Sequence, residues 1–242
     1  MKRICYCVFT GFLYFLVGSI ASANVVVLGT RVIYPQGDRE VTVQLKNDGE
    51  LPSLVQAWID DGKTSTPINK LKVPFVLMPP IFRVEPGKGQ TLRISYTGEQ
   101  LPQDKESVYW LNVLDIPPKG ASSGGNTLQM AIRSRIKIFF RPPLLNSHGA
   151  TEAYKNVKWT LTSDKKLRGK NLSPYYVNIS SVELDINGKK IKTTAGEMLS
   201  PGENKIFESP VLMGVSPGTK VSYGSITDYG GIVISESAIR NG

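Results

Sequence analysis

The sequence predicts an all-β protein of two β-sandwiches, and three observations carry that expectation. Beyond the first 23 residues, apolar side chains alternate in short segments separated by Pro, Gly, Asn and Asp, and no helical period persists for three turns. Seven such segments fall between Val25 and Pro143, the strand number of an immunoglobulin-like sandwich. The pattern stops at Pro142-Pro143 and then restarts, which marks a second, smaller sandwich.

Residues 1–23 stand apart from this pattern. Lys2 and Arg3, an apolar run from Val8 to Val17 and then Ala21-Ser22-Ala23 have the three parts of a secretory signal peptide, so the mature chain is expected to begin at Asn24. Both cysteines, Cys5 and Cys7, lie in that leader, and the exported protein would carry no thiol and no disulfide. After cleavage no stable membrane insertion is expected. The first domain is then 24–143 and the second 144–242.

Within the first domain, Val25 to Tyr34 reads as one strand ending at Pro35-Gln36-Gly37. Val41, Val43 and Leu45 alternate in a second strand, closed by Asn47-Asp48-Gly49. Leu54 to Ile59 carries Trp58, which fits the buried tryptophan of this fold. Phe75 to Met78 leads to Pro79-Pro80, Leu92 to Tyr96 alternates again, and Val108 to Ile116 precedes a loop over 119–126 rich in Gly and Ser. In the second domain Val157 to Leu161, Tyr175 to Val182, Val221 to Ile226 and Ile232 to Ser235 read as strands. Asn187-Gly188 sits where a hairpin would turn.

The seventh strand of the first domain is the least ordinary. Over Asn126 to Pro143, Leu128, Met130, Ile132, Ile136, Ile138 and Phe140 share one parity, and Arg133, Arg135, Lys137 and Arg141 share the other. About fourteen residues precede the Pro-Pro stop, longer than the usual 3 to 10, so part of the strand should overhang its sheet as an edge able to pair with another chain.

The formal charge of +9 includes Lys2 and Arg3, and cleavage would leave a basic chain. Export, together with the lack of a basic helix or aromatic RNA-binding signature, argues against nucleic acid; anionic groups on another protein fit better. The composition offers little to an enzyme. His148 is the only histidine, no phosphate-binding glycine loop occurs, and Asp60-Asp61 before Gly62 reads as a solvated turn. No metal or cofactor is expected.

Leu101 to Pro117, LPQDKESVYWLNVLDIP, resembles the signature segment of the periplasmic pilus chaperones, with Asp104, Glu106, Asn112 and Pro117 in place. Thr30-Arg31, Ile136 to Pro142, Ser173 to Tyr176 and Asp228 to Gly231 agree in the family's order, so the likeness spans nearly the whole mature chain. It implies two immunoglobulin-like β-sandwich domains with a cleft between them, in a non-catalytic chaperone for pilus or fimbrial subunits that lends its long strand to each subunit. By the same resemblance Arg31 and Lys137 hold the subunit's C-terminal carboxylate. Leu128, Met130 and Ile132 enter the subunit, and Glu106, Arg141 and Asp228 fix the junction between domains. An outer-membrane usher is the implied assembly partner, and the short loop before the seventh strand is similar to that of the short-loop subgroup. Some members have a second-domain disulfide, which this chain cannot form. Two other classes stay open: a structural pilus subunit or adhesin, and an exported hydrolase working through its carboxylates.

Overall fold

The computed structural model describes residues 24–118, 129–186, 188–193, 196–207 and 214–240. The leader, the whole of 119–128 with Leu128, and Asn187 of the expected hairpin turn lie outside them.

The first unit packs two sheets face to face. One has the order β1 (Val25–Val27), β3 (Val41–Asn47), β7 (Gly89–Tyr96) and β5 (Phe75–Met78), all antiparallel. The other runs β2 (Arg31–Pro35), β9 (Ile132–Arg141), β8 (Ser107–Ile116), β4 (Ser53–Asp60) and β6 (Ile81–Val84). Its one parallel pairing joins β2 to β9. Alternation decides the core: Val43 and Leu45, Leu92 and Ile94, Val55 and Ala57, Leu111 and Val113, and Ile138 and Phe140 are buried, with polar neighbours of opposite parity turned away along β3 and β7.

Three expectations need correction here. The first strand is two, because Gly29 at φ +149° breaks it and the chain changes sheets, β1 pairing with β3 and β2 with β9. Trp58 is not a core residue. Val55, Ala57 and Ile59 take the inward parity, so Trp58 is half-buried on the outer face beneath the Arg133 guanidinium, 5.4 Å from Cζ to ring centre. Asp60 is no solvated turn residue. It is 2% exposed and bonded to Arg135 and Asn112, whereas Asp61 is exposed as expected.

The second unit has its own core. A sheet of β10 (Val157–Leu161), β11 (Leu167–Asn171) and β15 (Asn204–Phe207) faces one of β13 (Lys189–Lys192), β12 (Val177–Ile186), β16 (Lys220–Ile226) and β17 (Ile232–Ala238), with β14 (Glu197–Leu199) paired to β12. Ile186 pairs with Lys189, so the hairpin turns where the Asn-Gly signal lies. A short helix, α1 (Ser147–Glu152), follows Pro142-Pro143, capped by Asn146, whose Oδ1 accepts the Gly149 N–H at 2.8 Å; His148 is exposed on it. No helix among the described residues is long and apolar enough to cross a membrane.

Trp159 is the centre of the second core, fully buried with ring centres 5.1 Å from Phe207 and 5.2 Å from Tyr223. The space for it comes from Gly169, where a Cβ would lie 2.8 Å from Phe207 and 3.0 Å from Trp159. Gly169→Ala should therefore destabilise the protein by about 1–3 kcal/mol through overpacking. Gly37→Ala, with no heavy atom within 4 Å of the new carbon, should stay within about 0.5 kcal/mol of the parent in urea unfolding.

Candidate functional site

Register brings the two expected anchor cations together. In the parallel ladder Arg31 lies directly opposite Lys137, and both side chains reach the second unit. Arg31 Nη1 donates to the Ile226 carbonyl at 3.2 Å, and Lys137 Nζ donates to Asn178 Oδ1 at 2.9 Å. Each is half-buried, and neither forms a salt bridge among the described residues; Arg31 Nε is buried with no hydrogen-bond partner. Burial draws the Lys137 ammonium below its ordinary value, and repulsion from Arg31 and Lys205 adds to the shift. Burial likewise lowers Arg31, against the attraction of Asp228. Two neighbouring positive groups with spare donors form a receptor for an anion, and a carboxylate matches the guanidinium fork.

The same point on β9 is where its edge opens. β2 covers only Lys137 to Arg141, whereas β8 pairs with β9 from Ile132 to Phe140. Among the described residues, Ile132 to Ile136 therefore carry an edge with no strand paired on the β2 side. Of the expected donor residues, Met130 is 66% and Ile132 is 42% exposed, and Leu128 lies outside the described residues.

Beyond the cations, a buried ionic junction joins the units. Arg141, at the end of β9, is 4% exposed and donates from Nε to Glu106 Oε1 at 2.8 Å and from Nη1 to Asp228 Oδ2 at 2.9 Å. Glu106, just before β8, also accepts the Tyr176 N–H at 2.8 Å, and its own N–H donates to the Pro174 carbonyl at 2.9 Å. Burial pushes the Glu106 carboxyl up against the pull of Arg141 and the Tyr176 N–H. Burial also works against the Arg141 charge, but its two carboxylates outweigh that and favour the cation. The bonding decides between these tendencies. A guanidinium meeting two carboxylates, one of them also held by a backbone N–H, is an ionised arrangement.

Sequence reasoning missed the parts that Pro174, Tyr176 and Gly230 play here. Pro174 and Tyr176 bracket Glu106, and the Tyr176 ring packs 5.7 Å from that of Phe139. Gly230, at φ +82°, leaves room for Thr30, whose Oγ1 would be 2.8 Å from a Cβ there. Only the motifs that contain them pointed to these contacts.

Removing Arg141 would strand Glu106 in the junction. Arg141→Ala is expected to cost about 3–5 kcal/mol in urea unfolding, because the buried carboxylate loses its counter-charge. Breaking the exposed Arg93–Glu40 pair by Arg93→Ala should cost no more than about 1 kcal/mol.

Comparison with known proteins identifies the family. Residues 24–146 match the domain described as "Pili and flagellar-assembly chaperone, PapD N-terminal domain", and residues 152–237 match "Pili assembly chaperone PapD, C-terminal domain". The chain is 43% identical over 231 residues to the chaperone protein FimB/FhaD of Bordetella pertussis, covering 91% of this chain and 90% of that one. The crystal structure of the Pseudomonas aeruginosa CupB2 chaperone is similar at TM-score 0.76 and 37% identity, covering 88% of this chain and all of that one. A chain in the structure of the Salmonella enterica SafA pilin in complex with the SafB chaperone gives TM-score 0.75 at 29% identity, covering 91% of this chain and 99% of that one. The chain belongs to the family of pilus-assembly chaperones.

Proposed function

We propose that this chaperone works in the periplasm after loss of residues 1–23, with domains over 24–143 and 144–242, and performs no catalysis. It captures fimbrial subunits by adding the open half of β9 to each one and holding the subunit's C-terminal carboxylate between Arg31 and Lys137. It then delivers them to an outer-membrane usher. The observation that carries this reading is the coincidence of two uncompensated cations with the point where the β9 edge becomes free. A chain whose terminus sits at that point and whose backbone pairs with Ile132 to Ile136 runs parallel to β9, continuing the line of β2. Glu106, Arg141 and Asp228 then fix the angle of the cleft that receives the terminus. A structural subunit is less well supported, because both units here close their own cores.

The anchors should matter to binding and not to folding. Arg31→Ala and Lys137→Ala are each expected to weaken subunit capture by about 2–5 kcal/mol while the free protein stays folded. Lys137 sharpens the contrast. Its folded-state value lies below its unfolded one, so the charged form opposes folding at neutral pH, and stability rises as pH climbs through the folded value. Lys137→Met should leave thermal stability equal or higher while subunit copurification is lost. In the parent, capture should weaken as the subunit carboxylate protonates below about pH 3.5. It should weaken again as Lys137 deprotonates, earlier than for an exposed lysine.

Side-chain parity supplies a second test. Met130 and Ile132 share the face offered to the subunit, and each is worth about 1.5–3 kcal/mol when buried. Met130→Glu would place an unpaired charge in an apolar groove, whereas Gln129→Glu makes the same change on the opposite parity. Subunit yield on co-expression should collapse for the first and hold for the second; equal effects would rule out face-on insertion.

A further inference from the structure

The open half of β9 poses a mechanical problem. Ile132 to Ile136 bond to β8 along one edge only, and the inward face at Ile132 and Met130 is left uncovered. A segment with one hydrogen-bonded edge and little apolar packing belongs to the part of a fold that opens most easily. Yet a strand offered as a template must already be straight and in register. Since its inner face has to stay bare for a partner, any further hold must come from the outer face.

That face carries such a hold. Arg135 reaches across β8 to Asp60 at the end of β4, with Nη2 at 2.5 Å from Oδ1 and Nε at 3.3 Å from Oδ2. Asn112 of β8, fully buried and paired in register with Arg135, donates to Asp60 Oδ2 at 2.7 Å and accepts from Arg133 Nε at 3.0 Å. The Gly62 N–H donates to Asp60 Oδ1 at 2.7 Å. Each arginine also covers an indole: Arg135 Cζ lies 4.7 Å from the Trp110 ring centre and Arg133 Cζ 5.4 Å from that of Trp58. Gly62, at φ +102°, closes the turn onto Trp110, whose ring would be 2.8 Å from a Cβ there. Burial alone would push the Asp60 carboxyl up, but Arg135, Asn112 and the Gly62 N–H hold it below the usual carboxylate range.

We infer that Asp60, Asn112, Arg133 and Arg135 are positioning residues that tie the open half of β9 across β8 to β4, holding it extended and in register while its apolar face is empty. None of them touches the incoming chain; they act through the backbone of β9. The functional half of this inference rests on the proposal that β9 is the donated strand.

Two readouts on the intact mature chain test it: hydrogen exchange at the amides of residues 132–136 that bond to β8, and recovery of a fimbrial subunit on co-expression. Asp60→Asn should speed exchange at those amides about tenfold, the scale of a lost hydrogen bond to a charged group, leave the β12 amides unchanged and lower subunit recovery. Arg133→Met, which leaves no buried charge unpaired, is the second variant should Asp60→Asn fail to fold. It removes the Nε donor of the buried Asn112 Oδ1 as well as the cation–π contact, and should speed the same amides about tenfold, the scale of a lost hydrogen bond to a charged group. Amide rates equal to the parent's in a folded variant overturn the tie, and faster exchange with full subunit recovery overturns its role in capture. Arg31→Ala separates this inference from the anchor assignment. It should lose the subunit with these amides at the parent rate, and if it keeps the subunit the anchor assignment alone fails.

Discussion

A guanidinium excluded from water is costly unless carboxylates meet it, and at Arg141 they come from both units. Glu106 enters from the strand beside β9 and Asp228 from the turn between β16 and β17, so neither unit alone satisfies the charge. Separation would break the contacts to Asp228 and Tyr176 and leave Arg141 paired with Glu106 alone. That penalty keeps the second unit close enough for Asn178 and the Ile226 carbonyl to meet Lys137 and Arg31. The placement of the two units beside Arg31 and Lys137 is thus tied to a buried charge at the end of β9.

Around this joint, the groups proposed to hold the subunit are arranged against the protein's own stability. Lys137 and Arg31 are half-buried, mutually repelling and without a salt bridge among the described residues. The open half of β9 keeps Ile132 and Met130 exposed beside an unpaired backbone edge. Another edge is protected in the ordinary way. β13, at the margin of the second unit, is Lys-Lys-Ile-Lys, a charged strand that discourages pairing. Charge on β9 is instead confined to the outer face, which leaves its apolar face and its edge available together.

Much of this was legible in the sequence. Alternation located β3, β4, β7, β8 and β9 because each is long enough to show a period of two. β6, β11, β14 and β15 have three to five residues each, too few for a period of two to emerge from them. The hidden roles are those fixed by register between distant strands. Asp60 looks like a turn acid until β4 aligns it with Trp110 and β9 places Arg135 across from Asn112. Glu106 and Asp228 are 122 positions apart in number, and no spacing rule could pair either with Arg141. The resemblance supplied those groupings; the coordinates supply the bonds that explain why the residue types are needed.

The placement of the three tryptophans gives the molecule separate optical reporters. Trp159 is sealed in the second core between Phe207 and Tyr223, so its emission should lie to the blue and shift only when that unit melts. Trp58 and Trp110 lie on the outer face of the first unit under the guanidinium groups of Arg133 and Arg135, where fluorescence responds to the charge stacked above the indole. Each unit can therefore be followed through its own chromophore, without a dye, in a chain whose described cores contain no cysteine to label.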